Sequence, residues 1–207
     1  MPGYIVDPVT TDEFIDVARI SGVPGIERKC RSHALNIKYC AHKAALEIGI
    51  DIPDTKFIIA HLGSGFSIAA VKGGKIIDVN DALLGMGPFS IQRAGSLPIS
   101  GILDKIFSDG KTRKDVEQLF SQESGLKAYL GTNQFQEIEQ MIKDGDKKAS
   151  LIVSAMVYQI IKDVGGLHAG FSGKTSALIL TGGLANSNYL IKQLNKYLNF
   201  IQPHIIY

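Results

Sequence analysis

Phe57-Ile58-Ile59-Ala60-His61-Leu62-Gly63-Ser64-Gly65-Phe66-Ser67-Ile68-Ala69-Ala70-Val71-Lys72-Gly73-Gly74-Lys75-Ile76-Ile77-Asp78-Val79 is the stretch that decides the fold. Phe57–Ala60 is an apolar run bounded by turn residues, which predicts a buried strand. Gly63-Ser64-Gly65 makes a tight turn, and Phe66–Val71 reads as a second strand. Gly73-Gly74 is a hairpin signal, and Lys75–Val79 is a third strand. Three strands joined by two short glycine turns form a meander.

Upstream of the meander, Gly3–Asp7 reads as a short strand or extended lead-in. Thr11-Asp12-Glu13 reads as the cap of a helix ending near Gly22. Pro24 and Gly25 break the chain. A helix then runs from about Ser32 to Ile48 and stops at Gly49, with Ala34, Ile37, Ala41, Ala44 and Ile48 at helical spacing. Downstream, Asp81–Ser100 is a loop rich in Gly, Pro and Ser, about twenty residues long and more than a passive connector needs. Helices are predicted at about Gly101–Phe107, Lys114–Phe120, Asn133–Lys143 and Asp146–Ala169. A buried strand follows at Ser176–Leu180, then a helix at Ser187–Leu198 and a last strand at Phe200–Tyr207. This order predicts an α/β fold, a mixed sheet with helices on its faces. The sequence shows no internal repeat and no low-complexity tract.

The totals bound the function classes. The chain has 207 residues, 45% of them hydrophobic and 20% charged, ordinary for a globular protein that builds a core without staples. A formal net charge of +2 is too small to argue for nucleic acid or an anionic membrane. No apolar run approaches the roughly 18 residues of a membrane span, so none is expected. Met1-Pro2-Gly3-Tyr4 lacks the basic-then-apolar pattern of a secretion signal. Cys30 and Cys40 are read as lying in one helical segment, their Cα atoms ~15 Å apart and too far to bridge. Reduced thiols and a cytoplasmic location are therefore expected. No CxxC or HExxH spacing is present.

Five features could carry chemistry. His61-Leu62-Gly63-Ser64-Gly65 joins two strands and leaves backbone N–H groups that suit a phosphate; the alternative is a hairpin turn with nothing bound. Thr181-Gly182-Gly183-Leu184-Ala185-Asn186 lies at a strand-to-helix switch, where ligands bind outside the carboxyl ends of strands; the alternative is a tight packing corner. No Gly-Lys-Ser/Thr follows, so it is not a Walker loop. Arg93, in the long loop, could present its guanidinium to a phosphoryl group in flight, or be a solvated surface charge. His33, at the start of the second helix beside Arg31, could help hold an anion, or belong to a basic surface patch. Asp7, before Pro8, could position Mg2+ or a phosphoryl donor, or be a turn residue.

Several segments together resemble one family: Val6-Asp7-Pro8-Val9, Ile20-Ser21-Gly22-Val23-Pro24, His33-Ala34-Leu35-Asn36, Ala60-His61-Leu62-Gly63, Ile77-Asp78-Val79-Asn80, Gly87-Pro88-Phe89-Ser90, Ala128-Tyr129-Leu130-Gly131-Thr132-Asn133 and Leu180-Thr181-Gly182-Gly183-Leu184-Ala185. They are similar to butyrate kinase and its branched-chain fatty acid kinase relatives. These stand with acetate kinase among the sugar kinases, actin and the heat-shock chaperones. The resemblance implies a ribonuclease-H-like, actin-like ATPase domain in βββαβαβ order. It divides the chain into 1–54, a leading strand and helical segment, and 55–207, the nucleotide-side domain.

The resemblance also implies roles. His61, Leu62, Gly63, Ser64 and Gly65 would contact phosphate, and Gly182, Gly183, Leu184, Ala185 and Asn186 would form the adenosine-side loop. Arg93 would stabilise the transferring phosphoryl group with help from His33, and Asp7 would stand near the metal and the attacking carboxylate. The implied reaction is reversible transfer from ATP to a short-chain carboxylate, giving ADP and an acyl phosphate, with ATP/ADP and Mg2+ as cofactors. The metal ligands stay unassigned. Ser64 and Ala94-Gly95-Ser96 depart from the commoner residues at those places.

Family members carry a first domain before the residue matching Asp7 and continue past the residue matching Tyr207. The resemblance therefore predicts that this chain is the second domain. Its expected partners are nucleotide and a small carboxylic acid, a homo-oligomeric copy, and a separate chain carrying the first domain. The competing expectations are a non-catalytic nucleotide-binding fragment and an assembly scaffold that binds no nucleotide.

Overall fold

The computed structural model describes residues 3–207, so Met1 and Pro2, where the reading of a missing secretion signal begins, lie outside the described residues. The meander forms as its apolar runs and turns dictate. Strand β1 (Lys56–Leu62) pairs antiparallel with β2 (Phe66–Lys72), and β2 with β3 (Lys75–Val79). Two later strands, β4 (Ala177–Thr181) and β5 (His204–Ile206), add on the other side of β1, both in parallel. The sheet order is β3-β2-β1-β4-β5, a mixed sheet with β1 at its centre. The last strand is shorter than the expected Phe200–Tyr207.

Because side chains alternate across a strand, β1 feeds two cores. Ile58, Ala60 and Leu62 face one side, with Phe66, Ile68, Leu178 and Leu180. This face is covered by α7 (Lys147–Gly170), through Val153, Met156, Val157, Ile160 and Val164, and by α8 (Asn188–Leu198), through Leu190, Leu194 and Leu198. Phe57 and Ile59 face the other side, with Ala69, Val71, Ile76 and Ile179. There α2 (Ala34–Ile48) supplies Ala34, Ile37, Cys40, Ala41 and Ala44, and Phe14, Ala18 and Cys30 join them. Gly49 ends α2 in the left-handed conformation.

Four readings need correction. The helix expected after Thr11 is only α1 (Asp16–Arg19). The residues before it lie along the edge of β3: the Ile15 N–H donates to the Ile77 carbonyl at 3.2 Å, and Glu13 Oε2 accepts the Ile76 N–H at 2.9 Å. Asp12 binds Arg19 and the Phe14 N–H instead of capping a longer helix. Gly3–Asp7 forms no strand, and Asp7 itself has φ of 44°. Cys30 precedes α2 rather than sharing its helix with Cys40; both thiols are free and buried.

Finally, α7 is long and apolar enough to cross a membrane by length and composition, contrary to the expectation of no such run. Its apolar stripe at 149, 153, 156, 157, 160 and 164 is buried in the protein core, which accounts for that composition without a bilayer. Three further helices, α3 (Ile99–Phe107), α4 (Arg113–Gln122) and α6 (Phe135–Lys143), match their expected places to within two residues. Between α4 and α6, α5 (Gly125–Leu130) was not foreseen.

Candidate active site

The tight turn Gly63-Ser64-Gly65 leaves the carboxyl end of β1 at the boundary between the two sheet faces. Because β1 and β4 run in parallel with His61 opposite Thr181, the loop that leaves β4 emerges beside this turn. That loop is a single 3-10 turn, Gly183–Asn186. A Cβ on Gly182 would stand 2.6 Å from the Leu62 carbonyl oxygen, and Gly182 has φ of 89°. The glycine is thus what lets the two backbones touch. A Cβ on Gly183 would meet nothing within 4 Å.

A cleft of about 740 Å3 opens between the two glycine loops. Gly63, Ser64, Gly183, Leu184 and Asn186 line it, so two of the sequence-predicted groups share one cavity. Leu62, Gly65 and Ala185 are buried behind it. The cleft also takes Gln92 from the long loop, Asn133, Glu139 and Lys143 from around α6, and Tyr189 from α8. Apart from Asn133, which ends the Ala128–Asn133 segment, these residues carry no motif; the packing of α6 and α8 against α7 brings Glu139, Lys143 and Tyr189 here.

On the other side of the turn, the α2 side, lie two histidines. His33, just before α2, stacks on His61 with ring centroids 3.8 Å apart and 14° between planes. His61 Nδ1 is 2.7 Å from Asn36 Oδ1, and His33 Nδ1 is 2.9 Å from Ser67 Oγ. Burial, then the neighbouring His33, pushes the His61 pKa down to about 4. Burial and the cation of Arg93 lower that of His33. One residue before His33, Ser32 Oγ is buried with no hydrogen-bond partner among the described residues.

Arg93 closes the turn from above. Its guanidinium lies over Gly65 and donates to the Ala82 carbonyl. Burial lowers its pKa from the ordinary value and Asp81 opposes the shift; an arginine so placed remains a cation. The loop is tied down at several points. Ser90 Oγ donates to the Ser64 carbonyl at 2.6 Å, and the Phe89 N–H donates to Gln159 Oε1 of α7 at 3.0 Å. At the start of α5, the N–H groups of Leu126 and Lys127 donate to the Ser90 and Ile91 carbonyls. The long loop is therefore an ordered arm holding one arginine.

Asp7 is placed differently. Its carboxylate pairs with Lys38 of α2 at 3.0 Å, and Lys38 also binds Glu13. The structure thus gathers His33, His61, Arg93 and the Gly63–Gly65 turn, and gives Asp7 a lysine partner instead. Among the described residues no group of three His, Cys, Asp or Glu side chains could hold a metal. These described residues alone thus form no protein cage for Mg2+.

A family model described as the acetokinase family matches residues 23–202. The chain belongs to the acetokinase family. It is 45% identical over its whole length to a Caldanaerobacter subterraneus protein named Probable butyrate kinase 2, and 43% identical to a Listeria monocytogenes protein named Probable butyrate kinase. It spans 58% of the length of each of these relatives. Among solved structures it is similar to Porphyromonas gingivalis acetate kinase, with a TM-score of 0.83 and 26% identity over 94% of this chain and 51% of that one. It is also similar to a Francisella tularensis propionate kinase, with a TM-score of 0.81 and 26% identity over 90% and 50%. The fold is accordingly the actin-like ATPase fold, with the expected mixed sheet and helices on both faces.

Proposed function

We propose that this acetokinase-family chain is the nucleotide-side lobe of a butyrate kinase-like phosphotransferase, residues 55–207 holding nucleotide and residues 1–54 contributing His33 and, from its pairing with Lys38, Asp7. The observation that carries the reading is the position of the Gly63–Gly65 turn. It has a nucleotide-sized cleft on one side and Arg93 with the paired histidines on the other. ADP lies in the cleft against Gly183–Asn186, and its terminal phosphate reaches the N–H groups of the turn. A short-chain carboxylate, ionised at neutral pH, attacks the γ-phosphoryl group of ATP without a general base. Catalysis is positioning plus neutralisation of the charge on the moving group, and Arg93 is the cation in place. Mg2+ arrives with the nucleotide phosphates, which bind it with few protein ligands.

The names of the relatives point to butyrate as the acid. Because those relatives are longer, a second lobe closing over the turn fits the need to exclude water. It would be supplied by further sequence or by another chain, and the assembly would be a homo-oligomer in the cytoplasm.

Calorimetric titration with Mg-ADP tests the reading. Gly183→Val fills open space in the cleft and is expected to abolish binding, whereas Arg93→Ala is expected to retain it. A folded chain that binds no Mg-ADP would refute the proposal and favour a scaffold.

A further inference from the structure

The two stacked imidazoles have partners of different kinds. Asn36 Oδ1, 2.7 Å from His61 Nδ1, can only accept, so Nδ1 carries the hydrogen and Nε2 carries the lone pair. That Nε2 faces the turn: a Cβ on Gly63 would stand 3.2 Å from it. Ser67 Oγ, opposite His61 on β2, is fully buried. It accepts the His33 N–H at 3.3 Å, and its own hydrogen has one acceptor among the described residues, His33 Nδ1 at 2.9 Å. Buried hydroxyls as a rule donate where an acceptor stands within reach, so the serine donates to Nδ1 and His33 carries its hydrogen on Nε2.

We infer that Asn36 and Ser67 are positioning residues that hold the stacked rings in opposite tautomers. His33 then keeps a hydrogen donor, and His61 a proton acceptor, on the nitrogen that the fold leaves free. The anion that the free nitrogens would serve rests on the kinase reading; the tautomers do not.

The charged and titratable surroundings agree. Each ring faces the other, Arg93 reaches in from the loop, and no carboxylate hydrogen-bonds either imidazole among the described residues. Two cations 3.8 Å apart would repel, so the rings are not charged together, and burial favours the uncharged form of each. An anion at His61 Nε2 meets a lone pair, whereas one at His33 Nε2 meets a hydrogen donor.

The test is long-range 1H–15N NMR of the whole chain at pH 7, with the resonances assigned by His33→Gln and His61→Gln. The expected result is a bare Nε2 on His61 and a bare Nδ1 on His33. Asn36→Leu, with an unchanged amide spectrum elsewhere, is expected to lose the Nδ1–H preference of His61. Asn36→Asp is expected to restore it and to raise the His61 titration midpoint by about 1–3 pH units. Hydrogen on Nε2 of His61 in the parent, or an unaltered tautomer in Asn36→Leu, would overturn the inference. If the Leu variant does not fold, the parent spectrum decides. Added Mg-ADP separates the two readings: tautomers as stated with no shift on titration uphold the positioning role and remove the kinase.

Discussion

The guanidinium of Arg93 occupies the space that a side chain on Gly65 would fill. A Cβ there would stand 1.9 Å from Nη1 and 2.4 Å from Cζ. The glycine in the turn and the arginine in the loop, 28 residues apart in sequence, therefore act as one unit. Gly65→Ala is expected to push the arginine off the turn and, on the kinase reading proposed above, to lower phosphoryl transfer by the assembled enzyme by about 100-fold or more. Mg-ADP affinity should stay near that of the parent chain. Equal losses of turnover and affinity would mean that the glycine serves the cleft and not the arginine.

Gly182 and Gly183 are expected to separate stability from binding. Gly182→Ala would drive a Cβ to 2.6 Å from the Leu62 carbonyl oxygen at a φ of 89°, and should cost at least about 1–3 kcal/mol in urea denaturation. Gly183→Val meets open space and should unfold near the parent midpoint while losing nucleotide. Reversed effects would show that the second glycine, not the first, makes the strand contact.

His61 makes the fold acid-sensitive. Its pKa is pushed down to about 4 in the folded chain, against about 6.5 unfolded. The unfolded state therefore binds the proton first. Stability is complete above about pH 6.5 and falls as pH drops toward 4, on the order of 2 kcal/mol for this half-buried ring. His61→Gln should flatten that part of the stability–pH curve. An unchanged slope in the variant would assign the acid sensitivity to other groups.

Asp163, on α7, behaves in the opposite sense. Burial raises its carboxyl to about 6, with Lys162 and Arg28 opposing and Asp78 adding to the rise. A raised carboxyl contributes stability below its unfolded value of about 3.9, and that contribution is lost as pH rises through 6. Asp163→Asn is expected to stabilise the chain by about 1–2 kcal/mol at pH 7.5 and by almost nothing at pH 3.5. Thermal melts at the two pH values check it; stabilisation of the same size at both would point to hydrogen bonding by the new amide.

The sheet was legible in the sequence because its signals are local. Phe57–Ala60, the Gly63–Gly65 turn and Gly73-Gly74 each carry their own pattern, and β1 to β3 lie within one or two residues of where those patterns put them. The elements that were misread or missed depend on distant partners. Glu13 looks like part of a helix cap, but its carboxylate is taken by Ile76 and Lys38. The first turn of α5 borrows the carbonyls of Ser90 and Ile91, which no window around Gly125 contains. The site divides in the same way. Glycine turns announce themselves, whereas Glu139, Lys143 and Tyr189 line the cleft only because α6 and α8 dock. The sequence leaves Asp7 open between a metal-side acid and a turn residue, and the pairing with Lys38 comes from a helix 31 residues further on.

The parallel register that sets His61 beside Thr181 works as a ruler. Sliding β4 by one pleat repeat would move the second glycine loop by about 7 Å relative to the first, and it would leave every residue on its original face. The spacing between the two loops is therefore written in main-chain hydrogen bonds rather than in side chains. Drift in the residues that line the cleft can retune what it holds, since the gauge between its two walls does not depend on them.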